Sequence, residues 1–142
     1  METVGVIGGG QMGSQIAALA AMAGYETHVY DSDSENLKSK IKFTEDNLLN
    51  LIDKGRYEKS KLDNFKEHLH SSESIDETIN KKSFVIEAVV ERLDIKLEIF
   101  ENISKKLDEN VVLATNSSFI PASEIAKSCE HPSRFINMHF FY

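Results

Sequence analysis

The chain has few of the residues that typify secreted, disulfide-bonded or membrane proteins. It contains one cysteine, Cys129, which excludes an intrachain disulfide and a metal site made of several cysteines. No apolar run approaches the ~20 residues of a membrane-spanning helix. No basic segment of a signal peptide precedes the first apolar stretch. We therefore expect a cytoplasmic protein in which Cys129 is an inert, partly buried thiol.

Basic residues are fewer than acidic ones, 16 against 23, which gives a net charge of −7. This balance argues against nucleic acid and against an anionic membrane as partners. It leaves small anionic ligands open, because helix N-termini and a few local cations can bind one. Only two prolines occur and no linker or repeat is visible, so residues 1–142 are expected to form one domain.

The start of the chain reads as a strand, a glycine turn and a helix. Residues 3–7 are an apolar run typical of a buried parallel strand, and residues 14–23 have helical spacing of apolar side chains. Between them lies a G-x-G-x-x-G segment, made of Gly8, Gly9, Gly10, Gln11, Met12 and Gly13. This order of elements favours a dinucleotide-binding loop, with the pyrophosphate at the helix N-terminus.

Each glycine of the pattern has a separate expected role. Gly8 lets the chain turn as it leaves the strand, and Gly10 lets a pyrophosphate approach the backbone. Gly13 allows the helix to pack close to the sheet.

Asp31 completes the fingerprint. A second strand is predicted over residues 26–30, and it ends in Asp31 at about the usual ~20 residues from the glycines, where a carboxylate bonds the adenosine ribose. That carboxylate would repel a 2′-phosphate, and Ser32 and Asp33 follow it instead of an arginine. The sequence therefore predicts NAD as the cofactor rather than NADP.

The remaining pattern predicts an α/β fold of the Rossmann type. Its sheet is expected to be doubly wound and mostly parallel, with a helical pair inserted after the second strand. Helices are predicted over residues 34–52, 59–67, 74–79, 93–107 and 121–127, and strands over 68–70, 84–89, 111–114 and 135–140. Asp31, Glu91, Asn116, Ser118 and His139 then fall at or just past strand ends, along one rim of the sheet.

With these motifs in view, the chain resembles the NAD-binding domain of the 3-hydroxyacyl-CoA dehydrogenases, of the 3-hydroxybutyryl-CoA type. The similarity covers the whole chain and is carried by residues 4–13, 85–91, 114–118 and 138–141. It implies an NAD-dependent oxidoreductase of fatty acid β-oxidation that interconverts (3S)-3-hydroxyacyl-CoA and 3-oxoacyl-CoA.

The resemblance also assigns roles to individual residues. The loop of residues 8–13 would hold the pyrophosphate, and Asp31 the ribose. Glu91 and Lys96 would contact the nicotinamide half of NAD, and Lys54 would contact the CoA moiety. Asn116 would contact the substrate. Ser118 would bond the substrate oxygen and touch the cofactor, and His139 would act as the general acid/base.

The chain departs from the family pattern in several places. The family continues with a glutamate that pairs with the histidine and with a helical substrate and dimerisation domain. We expect this chain to lack that domain, to be inactive alone and to come from a homodimer. Residues that differ from the usual family choice are Asn47, Phe119, Asn137 and Tyr142.

Other interpretations remain open. A gulonate- or carnitine-type dehydrogenase would share the same motifs, and a non-catalytic NAD-binding module would share the fold. Glu91 and Lys96 could be an ordinary pair at a helix start, and Lys54 a solvated charge at a helix end. No metal site is expected, because His28, His68, His70 and His131 show no ligand spacing.

Overall fold

The computed structural model describes residues 2–141, so Tyr142 and its departure from the family pattern lie outside the described residues. Helices and strands alternate along this part of the chain. The strands are β1 (Thr3–Ile7), β2 (Glu26–Tyr30), β3 (Leu69–Ser71), β4 (Phe84–Glu87), β5 (Val112–Thr115) and β6 (Phe135–Asn137). The helices are α1 (Gln11–Met22), α2 (Ser34–Asp53), α3 (Lys59–His68), α4 (Ile75–Ile79), α5 (Leu93–Ser104) and α6 (Ala122–Ala126), with a 3₁₀ turn at Pro132–Arg134.

The strands form a single six-stranded sheet in the order β3-β2-β1-β4-β5-β6, and every neighbouring pair is parallel. The strand order reverses between β1 and β4, which is the switch point of a doubly wound sheet. The predicted Rossmann-type fold is confirmed, as is the helical pair α2 and α3 between the second and third strands. All carboxyl strand ends therefore lie at one edge.

Both faces of the sheet are covered. On β1, Val6 packs into the core beneath α1, and the next residue, Ile7, packs into the core beneath α5. The helical pair has a smaller core of its own against α1, made of Ala18, Met22, Leu48, Leu62 and Phe65. Central parallel strands read as continuous apolar runs because side chains on both faces are buried.

Two predicted strands are longer than the observed ones. β4 ends at Glu87 instead of residue 89, because the Val89 N–H donates to the Glu87 side chain at 2.7 Å and leaves the ladder. β6 ends at Asn137 instead of residue 140, because the Phe140 N–H donates to Asn116 Oδ1 at 2.7 Å. His139 therefore lies in a loop beyond the strand.

The structure bears on the single cysteine and on the possibility of a membrane-spanning helix. Cys129 is buried in the core beneath α5, and burial raises the pKa of its thiol, which disfavours the reactive thiolate. Among residues 2–141, no helix has both the length and the apolar character to cross a membrane.

Candidate functional site

The loop between β1 and α1 requires glycine at two positions. Gly8 has a φ of +98°, and a Cβ there would lie 2.7 Å from the carbonyl of Ala88. A Cβ at Gly13 would lie 1.7 Å from the carbonyl oxygen of Gly8. The turn predicted at Gly8 is confirmed, and the close packing predicted for Gly13 is made chiefly against the loop itself.

The N-terminus of α1 opens onto free space. Gly10 is the N-cap residue, no side chain caps the helix, and a Cβ at Gly10 would meet nothing within 4 Å. The first N–H groups of a helix have no partners inside it. Free donors and the positive end of the helix dipole therefore face this space, as a diphosphate requires.

Asp31 lies beside the glycine loop at the end of β2. Its Oδ2 accepts a hydrogen bond from the Gly9 N–H at 2.7 Å, and its Oδ1 accepts one from the Asp33 N–H at 2.8 Å. The carboxylate is thus held in place by two backbone donors, on the side of the loop where a ribose would follow a diphosphate.

A cleft of about 580 Å³ joins these groups at the carboxyl edge of the sheet. Its volume falls within the ~300–1,000 Å³ of small-molecule sites. Its lining includes Gly8, Gly10, Gln11, Met12, Asp31, Ser32, Val89, Val90 and Asn116. The open loop, the uncapped helix and the carboxylate in one cleft fit a dinucleotide.

Ser118 and His139 meet across two neighbouring loops. Ser118 Oγ lies 2.9 Å from His139 Nε2, and both residues are exposed. Ser118 follows β5 and His139 follows β6, so the parallel pairing of these strands brings the two loops together. A hydroxyl and an imidazole at this distance can exchange a proton or share a third oxygen.

The two loops are fixed by side-chain amides. Asn116 Oδ1 accepts from the Phe140 N–H at 2.7 Å, and Asn137 Nδ2 donates to the carbonyl oxygen of Ser117 at 3.1 Å. Asn137, one of the residues that depart from the expected family pattern, makes this bond through its side-chain amide. Two hydrogen bonds therefore anchor the loop that carries Ser118, the serine loop, to the loop that carries His139, the histidine loop.

Glu91 organises the backbone around Ser118. Its Oε1 accepts from the N–H groups of Phe119 at 3.0 Å and Ile120 at 3.2 Å, and from Ser117 Oγ. Burial alone would raise the pKa of Glu91. The three hydrogen bonds and the charge of Lys96 outweigh it and lower the pKa to about 2. Glu91 is therefore ionised across the physiological pH range.

Beneath Glu91 lies a buried ion pair. The Lys96 side chain is 1% exposed, and its Nζ lies 2.6 Å from Glu87 Oε1 and 3.4 Å from Glu91 Oε2. Glu87 is fully buried and also accepts from Thr115 Oγ1 at 2.7 Å. Sequence reasoning missed the part played by Glu87, although a lone charge inside an apolar strand was a signal that it must have a partner.

A family model described as "3-hydroxyacyl-CoA dehydrogenase, NAD binding domain" matches residues 3–142. The chain belongs to the 3-hydroxyacyl-CoA dehydrogenase family. Within it, these residues are an NAD-binding domain, which agrees with the cofactor predicted from the glycine loop and Asp31.

Similar members of the 3-hydroxyacyl-CoA dehydrogenase family include a probable 3-hydroxybutyryl-CoA dehydrogenase of Bacillus subtilis, 31% identical over 99% of this chain and 48% of that protein. The mitochondrial hydroxyacyl-coenzyme A dehydrogenase of Rattus norvegicus is 34% identical over 99% of this chain and 46% of that protein. The chain spans about half the length of these curated relatives. A crystal structure of 3-hydroxybutyryl-CoA dehydrogenase from Escherichia coli matches with a TM-score of 0.93 and 31% identity, over 99% of this chain and 29% of that one.

The residue that the 3-hydroxyacyl-CoA dehydrogenase resemblance links to CoA belongs to the inserted helical pair. Lys54 is exposed at the C-terminal end of α2, and Asn47 is exposed two helical turns before it. In residues 2–141, the Lys54 ammonium forms no ion pair or hydrogen bond with Ser118 or His139. Its role stays a prediction.

Large apolar side chains are exposed in the segments that follow β4, β5 and β6. Phe119 is 88% exposed, Phe141 86% and Val90 61%. Phe140 is half-buried against the core beneath α1, so the two phenylalanines after His139 differ in environment. This rim of the sheet thus combines a polar pair with exposed apolar side chains.

Proposed function

We propose that this chain is the NAD-binding half of an enzyme that interconverts a (3S)-3-hydroxyacyl-CoA and the corresponding 3-oxoacyl-CoA. The observation that carries the proposal is the 2.9 Å contact between Ser118 Oγ and His139 Nε2, at the rim that also holds the glycine loop and Asp31. The names of relatives that are 31–34% identical support the substrate class.

The proposed chemistry divides a secondary alcohol oxidation between two groups. NAD, when bound, supplies the acceptor for the hydride that leaves carbon. His139 is the general base: its neutral Nε2 takes the hydroxyl proton, and the imidazolium returns that proton in the reverse direction. The Ser118 hydroxyl bonds the same substrate oxygen and stabilises charge that develops on it.

Glu91 and Lys96 are proposed to serve the nicotinamide half of the cofactor in different ways. The Glu91 side chain is 34% exposed, so a direct contact with a ligand is open to it, whereas the Lys96 side chain is 1% exposed. Lys96 would therefore act through Glu91, by holding that carboxylate and the loop of residues 117–120 in place. In this proposal, Glu91 and Lys96 are a pair at the start of α5 that also serves cofactor binding.

Two further residues are proposed to contact the substrate. Lys54 would bind a phosphate of CoA, because its exposed ammonium has the charge for it. Asn116 lines the cleft and ties the histidine loop through its Oδ1, so it would orient both loops towards the acyl group.

Residues 1–142 are proposed to act as one domain of a larger homodimeric enzyme whose other, helical domain completes the substrate cleft. Two observations support this. The chain spans about half the length of its relatives, at 46–48%. In residues 2–141, no carboxylate forms an ion pair with His139, and the proposed second domain would supply that partner.

The proposal is tested first on the chain alone. Titration with NADH, followed by cofactor fluorescence, should give saturable binding, while turnover of acetoacetyl-CoA should be negligible. A folded sample that binds no NADH contradicts the cofactor site. Rapid NADH oxidation by the chain alone contradicts the proposed division of the active site.

The catalytic roles are tested in the complete gene product. His139→Gln should lower kcat by ~10²–10⁴-fold, as expected for loss of a general base, with NADH affinity unchanged. The exposed His131→Gln is the matched control and should behave as wild type. Turnover of gulonate or carnitine in place of the acyl-CoA would favour those dehydrogenases. A wild-type protein that binds NAD without turning over any of these substrates would favour a non-catalytic module.

A further inference from the structure

Four titratable side chains lie together at the opposite end of β2 from Asp31. β2 and β3 pair in parallel with His28 opposite His70, and side chains two residues apart on a strand share a face. Glu26, His28 and His70 therefore face the same side of the sheet. His68, the last residue of α3, reaches the same carboxylate from the end of its helix.

The potential ligand atoms of three of these groups lie nearly as close together as the ligands of one metal ion. His70 Nε2 lies 2.8 Å and His28 Nε2 lies 3.7 Å from Glu26 Oε1, and the three potential ligand atoms are all within 4.8 Å of one another. A tetrahedral zinc ion with bonds of about 2.0–2.1 Å separates its ligand atoms by about 3.3 Å. To bind such an ion, the ligand atoms of Glu26 and His70 would move apart by about 0.5 Å and those of Glu26 and His28 would approach by about 0.4 Å. Side chains that are only half-buried allow shifts of this size.

We propose that Glu26, His28 and His70 form a binding site for a divalent transition-metal ion of the zinc type. Two imidazole nitrogens with one carboxylate oxygen suit zinc and its neighbours in the first transition row, whereas magnesium and calcium require oxygen ligands throughout. The remaining coordination position would be open to water, because all three side chains are partly exposed.

Partners outside the three ligands hold them in a binding orientation. Ser72 Oγ lies 3.4 Å from His28 Nδ1, so the other ring nitrogen of His28 points at Glu26. His68 Nδ1 lies 3.3 Å from Glu26 Oε2, which leaves Oε1 for the ion. Bonds of this kind, from a ligand's second atom to a neighbour, characterise metal sites.

Hydrogen bonding to the carboxylate accounts for only part of the cluster. The His70–Glu26 distance of 2.8 Å is an ordinary hydrogen bond, but 3.7 Å between His28 and Glu26 is too long for one. A bridging ion explains why the His28 nitrogen is aimed at that oxygen.

Two charged neighbours would act on a bound cation in opposite directions. The ammonium of Lys82 would oppose it, and the carboxylate of Glu77 would favour it. Metal binding needs a neutral imidazole and an ionised carboxylate.

Such an ion would fasten β3, a three-residue edge strand, to β2. Glu26 and Asp31 are five residues apart along extended chain, or about 16 Å. The site is therefore separate from the nucleotide cleft, and its test does not depend on the proposed catalytic function.

The first test measures zinc affinity of the chain, purified without a polyhistidine tag and treated with a chelator, by calorimetric titration with zinc chloride. Wild type and the control His131→Gln should bind one zinc ion with micromolar affinity. Loss of an outer partner of a ligand costs about 10–100-fold in metal affinity, so His70→Gln and Glu26→Gln should lose at least that much. Circular dichroism checks that both variants are folded.

The second test needs no variant. Zinc should shift the ring-nitrogen NMR signals of His28 and His70 and raise the thermal unfolding midpoint, while the His131 signals stay unchanged. Three results would each overturn the proposal: no saturable zinc binding by folded wild type, wild-type affinity in the folded ligand variants, or zinc-induced shifts confined to other histidines.

Discussion

Lys96 Nζ lies 2.6 Å from Glu87 Oε1, in a place where the two side chains are 1% and 0% exposed. The pair joins the end of β4 to the start of α5, and Glu91 rests on its solvent side. The serine loop of the candidate active site is thus supported by a charge pair in the protein interior.

Removing the ammonium of that pair should be costly. Lys96→Met leaves the Glu87 carboxylate buried without its partner, and breaking a buried pair in this way lowers the free energy of unfolding by about 3–5 kcal/mol. Urea unfolding measures the loss. Lys105→Met removes an exposed lysine that pairs with Glu101 at 3.0 Å, and it should remain close to wild type. An equally mild effect at both positions would contradict a supporting role for the buried pair.

Glu91 should make stability depend on pH below neutrality. Its pKa is lowered from 4.5 to about 2 in the folded chain, so its stabilising contribution is complete above about pH 4.5 and is lost as the pH falls towards 2. Glu91→Gln should therefore be less stable than wild type at pH 7, and the gap should narrow between these limits. Urea unfolding at a series of pH values tests this, with the exposed Glu98→Gln as control. A gap that is constant with pH would contradict the lowered pKa.

Two glycines of the loop should respond oppositely to the same substitution. Gly10→Ala places a methyl group where nothing lies within 4 Å, so the chain should keep its stability but lose NADH binding, because that space faces the N-terminus of α1. Gly13→Ala places a methyl group 1.7 Å from the Gly8 carbonyl oxygen and should prevent the native fold. Thermal unfolding and NADH fluorescence separate the two effects. Unchanged NADH affinity in the Gly10 variant would show that the diphosphate binds elsewhere.

Asp31 should control both affinity and cofactor choice. Asp31→Ala removes an ionised hydrogen-bond acceptor worth about 1.5–3 kcal/mol, so NADH should bind roughly 10–100-fold more weakly. Asp31→Arg should shift the preference towards NADPH, because the repulsion of a 2′-phosphate is replaced by attraction. Asp33→Asn keeps an N-cap acceptor for α2 and serves as the control. Equal NADH affinity in wild type and both Asp31 variants would contradict the ribose assignment.

The parts of the fold that are encoded locally were predictable from the sequence. The glycine loop and Asp31 are recognisable because turn, helix and strand follow one another within about thirty residues and each has its own chemical signature. The helical pair was equally visible, since long amphipathic helices have a strong periodic signal.

What escaped prediction depends on contacts between distant residues. The largely apolar residues 135–140 predict a strand that includes His139, because a local pattern does not contain the bond from Phe140 to Asn116, 24 positions away. The Glu26–His28–His70 cluster likewise has no ligand spacing along the chain. It arises only from the register of β2 against β3.

The Glu91 carboxylate grips main-chain N–H groups at residues 119 and 120, which any amino acid except proline supplies. The exposed phenylalanine at position 119 is therefore a side chain that the loop accommodates without a change of its backbone. Side chains of very different size and polarity can therefore stand at position 119 while the main-chain bonds to Glu91 stay intact.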